Sequence, residues 1–491
     1  VWFGLALGLV LLFRLPFVPY AVIDWDESTF ALVGDSVVRG HLPYAEIVEN
    51  KPPLVFLHFA LVQALFGKSI LAIRLSSVVL TALTAWLCAL VARRGLGLGG
   101  WSVLALPPVA YLGTFAPGSG SMMAEHLALL PMTLALYLLT RERLRPWHGF
   151  ALSLCAALAV LTRTNLAYPA LLLAVAAWVL PLEAGVSRIR FLAAFAAGAL
   201  LPVLILLVAY RHHLDLLYGA MVKGPLAYAE GGRLFTPAWW REARSAGELA
   251  LEPHTLPATL GLLAGAIGLL AGRGFTPTAR RTAWILVGGG LATLAGICAG
   301  GRVFGHYLMQ LLPFAAPLFA AAGFLVARRS RWVAGLLLVV LAVGWGEPLA
   351  RKYLHHVRRV QAGEPLWNDP ALQLVRYLDQ AGARGRPLFL LEAHIGYWML
   401  DSIPPSRVGH PSNFARTGLT QAVEGAHWSA AAEFDAIFDR APVFVVVPED
   451  MTRLGLTQGL RAGLFRRLAA AYREVATIEG LRVFRLREDS L

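Results

Sequence analysis

Asp24 and Asp26, with Glu27 beside them, and Lys51 followed by Pro52 and Pro53 stand in the first polar stretch after an apolar amino terminus. Carboxylates and an ammonium kept beside a bilayer cost free energy, so they point to chemistry on a substrate that the membrane presents, such as a lipid-linked group. Asp26 is the candidate catalytic acid. Asp24 forms with it a D-x-D pattern that elsewhere holds a metal and a nucleotide, which leaves a divalent metal at Asp24 and Asp26 open. Glu27 either orients Asp26 or faces water. Lys51 precedes two prolines that fix φ and remove backbone donors, which would pre-set a phosphate-binding lysine; a snorkelling interfacial lysine is the plainer reading.

Further groups recur along the chain. Glu125 and His126 follow a P-G-S-G-S turn signal at 117 to 121, Arg163 ends another apolar stretch, and G-R-V-F-G-H-Y at 301 to 307 carries Arg302, His306 and Tyr307. His212, His213 and Asp215 sit close together, but neither H-E-x-x-H nor C-x-x-C spacing occurs, so no metal site is assigned there. The rings of Tyr218, Tyr228, Trp239 and Trp240 suit a membrane-interface belt, with sugar stacking as the alternative. No P-loop or dinucleotide-type glycine loop supports nucleotide-driven transport.

The elements that must position these residues are set by composition. Of 491 residues, 57% are hydrophobic and only 15% charged, which places the chain among polytopic membrane proteins. Stretches near 1 to 20, 71 to 92, 101 to 116, 125 to 140, 148 to 163, 167 to 182, 190 to 210, 255 to 272, 282 to 299, 305 to 327 and 332 to 349 read as about eleven helical spans. The first, without a basic start or an A-x-A site, reads as uncleaved. Alternate connections carry Arg93 and Arg94; Arg141, Arg143 and Arg145; Arg188 and Arg190; Arg273, Arg280 and Arg281; and Arg328, Arg329 and Arg331, and are assigned to the cytoplasm. The first loop (21 to 70), the loop from 211 to 254 and the tail then share the extracytoplasmic face, together with Glu125, Arg163 and Arg302. The apolar run Leu54 to Phe66 is too short to cross and reads as an interfacial helix. The net charge of +13 follows from this arginine topology, not from nucleic acid. Cys88, Cys155 and Cys298 lie in apolar stretches as buried hydrophobes without a disulfide framework.

A transmembrane domain over 1 to 350 is followed by a small α/β domain over 351 to 491. Strands are expected at 387 to 391, 442 to 447 and 481 to 486, and helices at 370 to 380 and 459 to 473.

The order D-E (26, 27), R-G-H-L-P-Y (39 to 44), N-K-P-P-L (50 to 54), L-F-G (65 to 67), R-L-S-S (74 to 77), A-E-H-L-A-L (124 to 129) and H-Y-L-M-Q-L-L-P (306 to 313) resembles the bacterial protein-mannosyltransferase-like and aminoarabinose-transferase-like membrane glycosyltransferases of the GT-C fold. The likeness is closest over residues 20 to 170, weaker around 300 to 325, and architectural in the tail. It implies a mainly α polytopic bundle with a small extracytoplasmic α/β domain, and a donor sugar on a polyprenyl phosphate. By the same resemblance the acceptor would be a lipid, glycan or protein of the cell envelope. Asp26 matches the family's catalytic acid, Lys51 the lysine that contacts the lipid phosphate, and Glu125 the acid opening the second outer loop; the role of Asp24 does not transfer. Arg163 or Arg302 would assist Lys51 on the phosphate, and His126, His306 and Tyr307 would support the site or bind acceptor. A phosphate leaving group needs charge stabilisation and no protonation, so no cofactor is required. Two rival readings are a secondary transporter or lipid flippase, and a non-catalytic partner in envelope assembly. The polar groups gather at one face instead of at paired broken helices near the midplane, which disfavours transport.

Overall fold

The structure, a computed structural model, describes residues 1–229, 234–253, 255–272 and 275–488. Arg273, counted above among the inner-loop arginines, lies outside the described residues. The chain divides into two compact units, one made of Val1–Pro16, Arg74–Arg211 and Ala229–Arg358, the other of Phe17–Ile73, His212–Tyr228 and Arg359–Leu491.

The first unit is helical, and each expected span coincides with a helix. Among the described residues, five helices are long and apolar enough to cross a membrane: Ile70–Gly95, Arg188–Ala209, Pro277–Ala299, Gly305–Arg329 and Arg331–Gln361. Trp2–Phe17, Ala124–Leu139, Pro146–Val160, Thr164–Val179 and Leu256–Ala271 are shorter and equally apolar. This is a multi-pass membrane protein. Its lipid-facing character is plain on Arg188–Ala209, where Leu204, Ile205 and Val208 are exposed, and on Arg331–Gln361, where Val339, Val340 and Val343 are.

Small residues bring the helices together. An added Cβ on Gly198 would lie 2.1 Å from the Phe150 carbonyl oxygen, and one on Gly265 would lie 1.9 Å from that of Leu318. Backbone therefore packs on backbone, as small residues allow where the surrounding solvent is itself apolar.

The ends of Ala124–Leu139 separate two sets of loops. Gly95, Thr140 and Thr282 meet at its carboxyl end, Arg281 donates to the Arg141 carbonyl at 2.9 Å, and Arg145 pairs with Glu183. Four of the arginine-bearing connections thus converge on one end, as the alternation predicts. At the amino end, buried Arg14 donates to the carbonyls of Gly113 (2.7 Å), Ser119 (3.1 Å), Gly120 (3.3 Å) and Ser121 (2.9 Å). A five-donor guanidinium is the side chain able to satisfy so many orphaned backbone acceptors at once.

The last long helix differs from expectation. Its apolar pattern ends near 349, where Arg351, Lys352 and the following charges suggested the start of the tail, yet the helix runs unbroken to Gln361 past Pro348. Charged residues are good helix formers, so composition changes there without a change of backbone.

In the second unit, helices Trp25–Val38 and Leu54–Phe66 pack closely across Gly34, where a Cβ would lie 2.8 Å from that of Phe59. The tail forms a four-stranded sheet of β1 (Leu388–Leu390), β2 (Phe444–Pro448), β3 (Tyr472–Ile478) and β4 (Leu481–Leu486), in the order β1-β2-β4-β3. β1 runs parallel to β2, with Phe389 opposite Val445, and the other pairs are antiparallel. β3 was not expected as a strand. Its mixed, half-exposed pattern does not alternate, and a bulge shifts its register between Glu474 and Ala476. The β3–β4 turn is Glu479-Gly480, both at positive φ (49° and 79°), the geometry of a two-residue hairpin turn that matches strand twist.

The tail is not packed by itself. Trp25 of the first loop lies against the core formed by Phe389, Phe414, Phe434, Val445, Leu464 and Phe484. Trp398 Nε1 donates to Gln63 at 2.8 Å, and Val48 donates to the Arg407 carbonyl at 2.7 Å. The segment His212–Tyr228 joins the same body: Gly224 approaches Asn50 and Leu419, and Arg416 covers the Tyr228 ring at 5.1 Å.

Candidate active site

Asp24 is the N-cap of Trp25–Val38: its backbone is extended and its Oδ1 accepts from the Asp26 amide at 2.9 Å. That satisfies one of the orphaned donors of the first turn and fixes where the helix starts. Asp26 and Glu27 then fall in that first turn, where the helix dipole favours negative charge. Glu27 is buried, not turned to water.

Lys51 reaches Asp26 from the segment before the second helix. Its Nζ lies 3.2 Å from Asp26 Oδ1 and 3.3 Å from Glu49 Oε1, and 5.7 Å from the centre of the Phe30 ring. Tyr44, itself at φ 72°, donates its hydroxyl to the Lys51 carbonyl at 2.8 Å and so holds the lysine backbone. Asp26 and Lys51 retain 17% and 14% exposure, enough to be reached, whereas Glu49 is at 2%. Glu49 Oε1 also accepts from the Asn50 amide, and its Oε2 is buried without a hydrogen-bond partner.

Two histidines of the tail complete the surroundings. His410 Nε2 lies 3.4 Å from Asp26 Oδ1, and its ring meets Trp25 edge-on. His394, behind it, contacts Thr29 Oγ1 at 3.0 Å and the Trp25 carbonyl at 3.2 Å through Nε2. Ala393, directly before it, sits at φ 55°, a left-handed conformation that an alanine adopts under constraint. Burial, followed by the neighbouring His410, pushes the His394 imidazole down to about 3. Sequence reasoning missed Glu49, His394 and His410. Only Glu49 carried a local signal, two residues before Lys51.

The remaining expected residues belong to the first unit. Glu125 and Arg163 form a buried ion pair at 2.9 Å, Gln310 Nε2 lies 3.3 Å from the same carboxylate oxygen, and the guanidinium stacks over Tyr307 at 4.2 Å. His306 is buried beside Tyr307 with ring centres 4.8 Å apart. Of the residues that the sequence reading grouped on one face, Glu125, Arg163, His306 and Tyr307 come together here, and Gln310 joins them unforeseen. His126 is instead engaged with the fold: Nδ1 accepts from the Met123 amide at 3.1 Å, and Nε2 lies between Arg14 and the Gly113 carbonyl. Arg302 is exposed. His212, His213 and Asp215 are exposed too, and among the described residues no group of three His, Cys, Asp or Glu is suited to a metal. Tyr218 and Trp240 are exposed, while Trp239 donates to the Ala295 carbonyl at 3.3 Å.

No protein-family model and no curated protein matches the chain. Among solved structures it is similar to ArnT from Cupriavidus metallidurans in the apo state, with a TM-score of 0.65 and 13% identity over 98% of this chain and 97% of that one. The fold is GT-C. The arabinofuranosyltransferase AftD from Mycobacteria aligns with a TM-score of 0.46 and 14% identity, over 99% of this chain and 41% of that one.

Proposed function

We propose that the chain is an inverting glycosyltransferase that moves a sugar from a polyprenyl-phosphate donor to an envelope acceptor on the outer face of the plasma membrane. The observation that carries this reading is the contact of Asp26 with Lys51 at the amino end of a helix, both partly exposed and backed by buried Glu49. The GT-C fold, shared with ArnT, is in keeping with it.

In this reading Asp26 accepts the proton of the acceptor hydroxyl as that oxygen attacks the anomeric carbon from the face opposite phosphate. The bond between anomeric carbon and phosphate oxygen breaks, and polyprenyl phosphate leaves with the bonding electrons. Lys51 turns from Asp26 to the departing phosphate, which strengthens charge stabilisation where charge develops. Glu49 keeps the ammonium in place before donor arrives. Arg163 is already committed to Glu125, so the lysine carries the phosphate role here. Divalent metal at Asp24 and Asp26 is not needed for this chemistry, and the cap contact occupies Asp24 Oδ1.

The test is transfer from synthetic polyprenyl-phosphate sugars to envelope lipid and protein extracts by purified wild type, Asp26→Asn and Lys51→Ala. Wild type is expected to consume donor and Asp26→Asn to bind donor while losing about 10²- to 10⁴-fold in turnover. Full turnover by Asp26→Asn would remove the base assignment. Failure of folded wild type on a broad donor panel would favour a transporter or an assembly partner.

A further inference from the structure

We propose that His410, from the tail, is a positioning residue for Asp26, so that the tail module is part of the active site and not an appendage to it. The proposal rests on the glycosyltransferase reading above.

His410 opens the short turn Pro411–Ala415, and its Nδ1 accepts from the Ser412 amide at 3.3 Å, with the Ser412 hydroxyl at 2.9 Å. An Nδ1 that accepts leaves the proton on Nε2 in the neutral ring. That N–H is the atom 3.4 Å from Asp26 Oδ1. The separation is longer than an ordinary hydrogen bond, as contacts in unliganded sites often are before substrate draws them in.

The geometry around the ring is built to hold that direction. Trp25 packs edge-on at 5.9 Å between ring centres, and His394 stands behind at 6.1 Å, fixed on the Trp25 carbonyl and Thr29. Among the described residues, the charged and titratable groups that face Asp26 include Lys51 and His410 in contact, Glu49 through Lys51, and His394 behind His410; Asp24 and Glu27 flank it on its own segment. When Lys51 turns to the donor phosphate, Asp26 gives up that contact at the moment it must be ionised and correctly aimed. The His410 N–H, held from the tail, is a donor that stays.

The two ring nitrogens do different work, and substitutions separate them. In His410→Asn the side-chain oxygen reaches the Nδ1 position and keeps the turn cap, but nothing reaches Asp26. In His410→Gln the amide N–H reaches the Nε2 position and the cap is lost. With folding checked by gel filtration and thermal melting, His410→Asn is expected to lose roughly 10- to 100-fold in kcat, the loss of one hydrogen bond to a charged group, with donor KM unchanged. The acidic limb of its pH–rate profile should move to higher pH, because the carboxylate has lost a donor that favours its charged form. His410→Gln should restore most of kcat and the limb. The reverse order of activity, or equal losses in both, would reduce His410 to a turn cap and overturn the proposal. Wild-type rates in both variants, with Asp26→Asn inactive, would overturn it while leaving the glycosyltransferase reading intact. An active Asp26→Asn would remove that reading and the proposal with it.

Discussion

Lys51→Met separates what the lysine does for the fold from what it does for the reaction. Its Nζ is 3.2 Å from one carboxylate and 3.3 Å from another, and all three side chains are under one-fifth exposed. At an effective dielectric constant of about 20, each contact is worth about 5 kcal/mol of gross attraction. Desolvation offsets much of this, but removing one partner of a buried pair strands the other, at a cost of about 3–5 kcal/mol. Glu49 bears most of that cost, since it is the most buried and its second oxygen has no hydrogen-bond partner. In a unit of about 200 residues, 1 kcal/mol moves Tm by roughly 2–4 °C, so Lys51→Met should melt on the order of 10 °C below wild type. Adding Glu49→Gln removes the stranded charge and should recover more than half of the loss. Neither variant should transfer sugar. Differential scanning fluorimetry in detergent reads the first quantity and the donor-consumption assay the second. A single variant that melts with wild type, or a double variant no more stable than the single, would refute the ion-pair argument.

Three other outcomes follow from the same structure. The native His394 imidazole is held near 3 against an ordinary 6.5, so the unfolded chain binds a proton that the native one refuses. Stability is fully present above about 6.5 and falls as pH drops toward 3; His394→Gln should flatten that decline in melting scans. Gly265→Ala would drive a methyl into the Leu318 carbonyl, forcing two helices apart; a loss of more than about 2 kcal/mol is expected, read as lower yield and Tm. Asp24→Ala removes an N-cap and should cost about 1 kcal/mol while sparing far more turnover than Asp26→Asn, which a side-by-side assay checks.

Helical spans were legible because an apolar run of roughly 20 residues has few other uses, and the arginine alternation foretold which loops gather at one end. Asp26 and Lys51 were legible as types out of place in a membrane protein, and the structure puts the two side chains in contact. His394 and His410 were not, since each lies in an irregular tail segment whose meaning comes only from contact with residues near 25. Asp24 read as half of a metal pattern because a cap and a ligand use the same carboxylate. Strand β3 was hidden by its exposed edge, and the end of the last long helix by charges that alter hydropathy without altering backbone.

The body that carries Asp26 is assembled from three distant stretches, and this sets an order on its birth. Thr29 emerges 365 residues before its partner His394. At about 5–20 residues per second, the ribosome leaves the first loop without the tail for roughly 20 to 70 seconds. Throughout that interval Trp25 has no core to enter and Asp26 no histidine beside it. A chain that ends between residues 361 and 393 already carries the last long apolar helix, Arg331–Gln361, and still lacks both histidines that the tail brings beside Trp25 and Asp26.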